Sequence, residues 1–237
     1  MRLSAPVYQL KRRARLLARN ETITLAEALD RVARDEGFAT WSLLASRLAA
    51  DPPEKPMLSQ LSDGDLLLLG GRPGHGKTLA GLQLLIDAAR EGRRAVFFTL
   101  EYSDRETRAR IGSLEAGGGG VGDRLEIVAA DDICADTIVQ HLAGSPAGTV
   151  AVVDYLQILD QQRQKPALSD QIRTLAGFSR ESGAILAFIA QIDRSFDPER
   201  SPMPGIGDIR LPNAVDLGSF SKACFLHGGA VRWQAIA

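Results

Sequence analysis

Very little in this 237-residue sequence could staple it, anchor it or attract a partner by net charge. The only two cysteines, Cys134 and Cys224, stand far apart without metal-site spacing. Neither a disulfide framework nor a structural zinc is therefore expected, and a reducing cytoplasm fits both thiols. The longest apolar runs, Leu66 to Leu69 and Ala184 to Ala190, fall far below the roughly 18 residues that cross a bilayer, so no membrane span is expected. Basic residues near the N-terminus have no apolar stretch behind them, which argues against a secretory signal. Glycine follows no period and no internal repeat is present, which excludes a collagen-like chain. With 28 basic and 29 acidic residues the formal net charge is −1, giving no global pull towards nucleic acid. What is present is a 45% hydrophobic composition, enough to exclude disorder and to bury an ordinary core without staples.

The near-neutral balance hides an asymmetry. Residues 1–50 carry nine Lys or Arg against five Asp or Glu, so the rest of the chain is acidic. Val7, Leu10, Ala14 and Leu17 recur at helical spacing with Lys11, Arg12, Arg13, Arg15 and Arg19 around the other faces. That basic cluster reads as the solvated face of an amphipathic helix, with DNA or partner docking as the alternative. Thr24 and Glu27 have capping-box spacing for a second helix, Gly37 stops it, and Thr40 opens a third turn containing Trp41, Leu44 and Leu48. The expected organisation is a small basic helical module over 1–50, a Pro-rich linker over 51–60 around Asp51-Pro52-Pro53-Glu54-Lys55-Pro56, and one domain over 61–237.

In that domain strands alternate with helices. Strands are expected at Asp65–Leu69, Ala95–Leu100, Val150–Val153, Ala184–Ala190 and Ala223–Leu226. Helices are expected at Thr78–Arg90, Ser103–Glu115 and Ser169–Glu181. Nearly continuous apolar strands between helices predict an α/β fold, a mostly parallel sheet with helices on both faces. Gly117 to Gly120 reads as a surface loop.

Gly71-Arg72-Pro73-Gly74-His75-Gly76-Lys77-Thr78 is a complete G-x-x-x-x-G-K-[ST], and it follows an apolar strand and opens a helix, as a phosphate-binding loop requires. Glycines let successive backbone N–H groups turn inward on phosphate oxygens, and the helix that runs on through Leu79 adds its N-terminal dipole. Lys77 supplies a charge for the β- and γ-phosphates, and Thr78 a hydroxyl for Mg²⁺. His75 reads as a backbone-presenting loop position, and His141 and His227 as ordinary residues. Asp154, at the end of an apolar strand, is the expected acid at the Mg²⁺ site. Two further strands end in Glu101 and Gln191, a carboxylate able to polarise water and an amide able to donate to phosphate.

Together these residues resemble the DnaB-type replicative helicases, within the RecA-like P-loop ATPases. Arg72-Pro73-x-x-Gly76-Lys77-Thr78 is similar to that family's P-loop, Thr99-Leu100-Glu101-Tyr102-Ser103 to its catalytic-glutamate motif, and Val153-Asp154-Tyr155-Leu156-Gln157 to its Walker B motif. Ala190-Gln191-Ile192-Asp193-Arg194 resembles its sensor motif, and Asp208-Ile209-Arg210 its later Asp-Leu-Arg. The matches run in order from Gly70 to about Leu226. The resemblance implies ATP and Mg²⁺ as cofactors, a sensor strand between the P-loop and Walker B strands, and the glutamate strand beyond, so that Glu101 and Gln191 converge on Lys77. It also implies single-stranded DNA as partner, met by loops after the Walker B and sensor strands. The corresponding candidates are Arg163 and Lys165 in Gln161–Ala167, and Arg194, Arg200 and Arg210 in and beside Ser195–Gly207, a loop with three prolines and Phe196 as its one aromatic residue for base stacking.

Two departures accompany the match. The stretch after Asp208-Ile209-Arg210 is Leu211-Pro212-Asn213-Ala214-Val215-Asp216, unlike the acidic Gly/Ser-containing segment of the family. A further hairpin with a Lys-x-Arg pair, which in the family reaches a neighbouring subunit's ATP site, is not expected after Ala223–Leu226; Arg232 is the basic residue in that region. A trans arginine is worth about 10³–10⁵ in rate, so a slow ATPase is expected, and the homo-oligomer implied by the family loses one argument for a hexameric ring. Three activities remain open at this point: a DnaB-like ATPase acting on DNA, an ATP-binding recruitment module with negligible hydrolysis, and a small-molecule kinase. The last is disfavoured because Glu101 and Gln191 suit attack by water.

Overall fold

A computed structural model describes residues 4–5, 7–44, 56–115, 120–121, 124–130, 132–160, 166–211, 213 and 215–236. The chain divides into two compact units, Met1–Lys55 with Gly228–Ala230, and Pro56–His227 with Val231–Ala237.

In the first unit, α1 (Val7–Glu21) buries Leu10 and Ala14 while Lys11, Arg12, Arg13 and Arg15 face solvent. Helix α2 (Leu25–Asp35) begins in a capping box: Thr24 Oγ1 accepts from the Glu27 N–H at 3.2 Å, and Glu27 Oε2 accepts from the Thr24 N–H at 2.9 Å. Gly37, at φ +84°, takes the left-handed conformation that ends this helix. Residues 41–44 are helical, Leu44 is buried, and the Trp41 N–H donates to Asp30 Oδ1 at 2.8 Å. Leu48 and residues 51–55 of the expected linker lie outside the described residues. Residues 57–60 are not linker. They form a 3₁₀ turn whose Leu58 is buried in the second unit's core, an apolar contact that outweighs the prolines just before it.

The second unit is built on seven strands: β1 (Leu66–Gly71), β2 (Ala95–Thr99), β3 (Leu125–Ala129), β4 (Val150–Asp154), β5 (Ile185–Gln191), β6 (Lys222–His227) and β7 (Ala230–Ala235). Their order is β3-β2-β4-β5-β1-β6-β7, and every pairing from β3 to β6 is parallel. Successive β1 side chains enter opposite layers. Leu67 and Leu69 pack with α3 (Lys77–Arg90) and α4 (Asp104–Leu114), whereas Leu66 and Leu68 pack with α5 (Ala135–Leu142) and α6 (Leu168–Ser182). Both faces being covered, the strand needs no polar alternation, which is why four consecutive leucines are tolerated. The expected α/β architecture is thus present.

The strand ends differ from expectation by a residue or two, with consequences for the site. β4 includes Asp154 and β5 includes Gln191, so both polar residues are held in the sheet's register. Asp65 precedes β1; its carboxylate accepts from the Ser62 N–H at 2.7 Å, Ser221 Oγ at 2.8 Å and Lys222 Nζ at 2.6 Å, tying β1 to β6. Strand β3 and helix α5 were not anticipated. β3 is an edge strand with only Leu125 fully buried, and α5 is eight residues long, too short for a clear period. A hairpin does follow β6, against expectation, though without the family's Lys-x-Arg pair: Gly228 and Gly229, both at positive φ, turn the chain into β7 at the sheet's edge, where Arg232 is the basic residue.

Candidate functional site

The C-terminal edge of the sheet collects the chemistry. β1 runs into the P-loop, where Gly74 and Gly76 adopt φ +79° and +85°, conformations that side chains rarely take. Gly71 has a second reason to be glycine. A Cβ there would come within 2.9 Å of Lys77 Cγ and 3.0 Å of the Leu226 carbonyl oxygen. The Lys77 stem lies against this bare backbone and its Nζ donates to the Arg72 carbonyl at 3.1 Å. Burial holds the Lys77 ammonium below its ordinary pKa, against the opposing pull of Asp154 and Glu101.

Asp154 is 2% exposed at the tip of β4, and its Oδ2 accepts from Thr78 Oγ1 at 2.9 Å. Burial pushes its carboxyl from 3.8 up to about 6; the Thr78 hydrogen bond opposes this, the Glu101 carboxylate adds to it, and Lys77 and Arg110 oppose it. Thr99, last in β2, stands in register with Asp154, and its hydroxyl accepts from the Glu101 N–H at 3.1 Å. Glu101 therefore leaves the sheet beside Asp154, exposed, with its charge felt by both Asp154 and Lys77. Ser103 then caps α4 and fixes the direction in which the chain departs. On the other side Gln191 pairs with Gly71, the first P-loop residue. The expected strand order, β5 between β1 and β4 with β2 beyond, is observed. Lys77, Thr78, Asp154, Glu101 and Gln191 are thus brought to one edge. Thr78 and Asp154 offer hard oxygen donors of the kind that suits Mg²⁺, which completes its octahedron with water and phosphate oxygens rather than a protein cage. No group of three His, Cys, Asp or Glu able to hold a metal occurs among the described residues.

Other candidates fared unevenly. Pro73, Gly74 and Leu79 are exposed along the loop and the first turn of α3, while His75 is half-buried. The Arg72 guanidinium donates to the carbonyl oxygens of Arg194, at 3.1 Å, and Phe196. Phe196 is not an exposed platform for bases. It is 5% exposed and packs edge-on against His227, 5.4 Å between centroids. His227, expected to be ordinary, stacks on His75 of the P-loop at 4.9 Å. The expected structureless loop after β5 is fastened at its return by an Ile192–Ile209 bridge, the Asp193 N–H donating to Asp208 O at 2.7 Å, and the Arg210 N–H donating to Gln191 O at 2.8 Å. Arg194, Arg200 and Arg210 are exposed on this segment, and Arg163 and Lys165 lie outside the described residues. Arg232 donates to the Pro204 carbonyl and lies over the Phe225 ring at 5.7 Å.

Arg110 was missed. Its guanidinium rests 4.2 Å over the Tyr102 ring and favours the ionised form of Asp154. The available signal was its place two turns into the helix that Glu101 introduces.

No protein-family model matches the chain. It is 25% identical over 190 residues to the replicative DNA helicase DnaB of Synechocystis sp., covering 67% of this chain and 22% of that protein. A probable plasmid replicative DNA helicase of Chlamydia muridarum is 23% identical over 186 residues, covering 66% of this chain and 41% of the relative. The chain thus spans well under half the length of these relatives. Among solved structures, a DnaB-like replicative helicase superposes with a TM-score of 0.56 at 14% identity, covering 92% of this chain and 65% of that one. A solved ATPase domain superposes with a TM-score of 0.55 at 15% identity, covering 78% of this chain and 81% of that one. The fold is RecA-like, and the sequence is similar to the DnaB type. The resemblance read from the motifs is therefore borne out, and the RecA-like sheet carries those motifs on the strands the resemblance assigned. No helix among the described residues is long and apolar enough to cross a membrane.

Proposed function

We propose that this RecA-like domain binds ATP with Mg²⁺ and hydrolyses it, as a DnaB-type motor or accessory ATPase acting on single-stranded DNA. The observation that carries the reading is the Thr78–Asp154 hydrogen bond at the foot of the P-loop, with Glu101 one strand away and its charge reaching both Asp154 and Lys77. Lys77 holds the β- and γ-phosphates, and the P-loop N–H groups cradle them. Thr78 and Asp154 hold Mg²⁺, which neutralises phosphate charge when bound. Glu101 accepts a proton from the attacking water, and the Gln191 amide senses the γ-phosphate beside Gly71. Arg194, Arg200 and Arg210, with Arg163 and Lys165, follow the DNA backbone, and self-association brings these loops together in an oligomer.

The decisive measurement follows mant-ATP binding and phosphate release for the parent and Glu101→Gln, with and without single-stranded DNA. The parent binds and releases phosphate, DNA stimulates release, and Glu101→Gln binds but does not turn over. Equal turnover in the variant removes Glu101 from the mechanism, and absent binding removes the ATPase reading.

A second reading, an ATP-binding recruitment module with negligible hydrolysis, is favoured by Arg232. Its guanidinium is engaged within its own unit by Pro204 and Phe225 rather than offered to a neighbour. Steady DNA-stimulated phosphate release rules that reading out.

A further inference from the structure

The P-loop and the loop after β5 are joined by one P-loop side chain. Arg72 donates to two successive-but-one carbonyls, those of Arg194 and Phe196, and its guanidinium lies 5.4 Å over the Phe196 ring. The ring is buried, and behind it the stack runs through His227 to His75, back in the P-loop. Burial, then the neighbouring positive charges, hold His75 below its ordinary pKa, and burial followed by Arg72 does the same for His227, so the stack adds no competing cation at neutral pH. The contact is specific to arginine. A planar fork serves two carbonyls and an aromatic face at once, whereas an ammonium serves them only as a point charge.

The same residue is engaged through its backbone. The Arg72 carbonyl accepts from Lys77 Nζ at 3.1 Å and from the His75 N–H at 3.1 Å. A triphosphate competes for that ammonium, so the Lys77–Arg72 contact is one that phosphate binding alters. A ligand shifts a conformation only through contacts that differ between the two arrangements, and this contact qualifies. The guanidinium on the same residue grips the segment that bears Arg194 and Arg200.

We propose that Arg72 is a positioning residue, a clasp through which phosphate binding at the P-loop sets the conformation of the Ser195–Gly207 loop. The clasp is distinct from the backbone route through Gln191, and its coupling rests on the nucleotide reading above.

Hydrogen exchange of the full chain tests it, on the amides of Ser195–Ser201, with and without Mg-ATP, for the parent, Arg72→Met, Arg72→Lys and Phe196→Leu. Mant-ATP binding is measured on each sample, and the β4 amides report whether the core is intact. Without nucleotide, Arg72→Met speeds exchange in this segment by about tenfold, Phe196→Leu does likewise, and Arg72→Lys recovers part of the protection, all with β4 unchanged. Mg-ATP alters exchange of the segment in the parent and leaves it unaltered in Phe196→Leu, which lies outside the P-loop and still takes up mant-ATP. Parent-like exchange in Arg72→Met, or a parent-like response to ATP in Phe196→Leu, overturns the proposal. Loss of mant-ATP binding in Arg72→Met also overturns it, making Arg72 a phosphate ligand. Should Arg72→Met lose β4 protection, Phe196→Leu decides by the same criteria. A parent that binds no mant-ATP is a separate failure, of the nucleotide reading, and takes the coupling with it, while the rates without nucleotide still accept or reject the clasp.

Discussion

Asp154, the acid proposed for Mg²⁺, works against the fold that holds it. Its carboxyl is buried, and in the folded chain its pKa lies near 6 rather than 3.8. The folded state thus holds this proton more tightly than the unfolded chain. Stability from this group is fully present below about pH 4 and is lost as pH rises through 6. Asp154→Asn keeps an oxygen acceptor for Thr78 and removes the charge. Thermal unfolding at pH 7.5 should show the variant more stable by about 2–3 kcal/mol, the difference closing towards pH 4, with Mg²⁺-dependent phosphate release lost. A variant less stable than the parent at pH 7.5 contradicts the buried-charge account. Glu101 is exposed, so Glu101→Gln should lower turnover by about 100-fold or more while leaving the melting temperature within a degree or two. Cys224 stands at the opposite extreme: burial raises its thiol to about 12, and it should resist alkylation in the folded chain, as mass spectrometry after iodoacetamide would show.

Elements aim these residues. The P-loop depends on β1 approaching Lys77 and β6 without a side chain in between, so Gly71→Ala should weaken mant-ATP binding by about tenfold or more. The cost in stability is about 1–3 kcal/mol, read from denaturant unfolding. Helix α4 begins three residues after Glu101, with the Ser103 hydroxyl accepting from the Glu106 N–H at 3.3 Å and Glu106 Oε2 accepting from the Ser103 N–H at 3.0 Å. Ser103→Ala should cost about 1 kcal/mol and lower turnover more than ATP affinity, because it loosens the segment that carries Glu101 without touching the P-loop. Much at this scale was legible beforehand. β1, β2, β4 and β5 announced themselves through apolar runs closed by turn residues, and Thr24–Glu27 through its cap. β3 and α5 did not, being a half-exposed edge strand and a helix of two turns. Nor did the pairing of β7, whose exposed strand holds no apolar run to betray it.

At the scale of the whole molecule the question is what the post-β5 segment meets. Arg194, Arg200 and Arg210 lie exposed on it, and Arg200 is only loosely paired with Asp197 at 3.6 Å. Replacing all three by glutamine should weaken single-stranded DNA binding and flatten its salt dependence, the slope of log K against log salt falling by about 0.7 for each lost phosphate contact. An unchanged slope places the DNA elsewhere. Light scattering with and without ATP and single-stranded DNA should show growth beyond the monomer when both are present; a persistent monomer favours the recruitment reading.

The sequence by itself determined the chemistry on offer. A P-loop, an acid after four apolar residues, and a glutamate and a glutamine at strand ends are local patterns, because a loop's glycines and a strand's hydrophobicity are properties of consecutive residues. Only the tertiary structure decided who meets whom. Parallel pairing set Thr99 beside Asp154 and Gly71 beside Gln191, and it carried Phe196 and His227, more than a hundred residues downstream, onto Arg72 and His75. Such contacts depend on strand order and on what covers each edge, and no window along the chain contains that information.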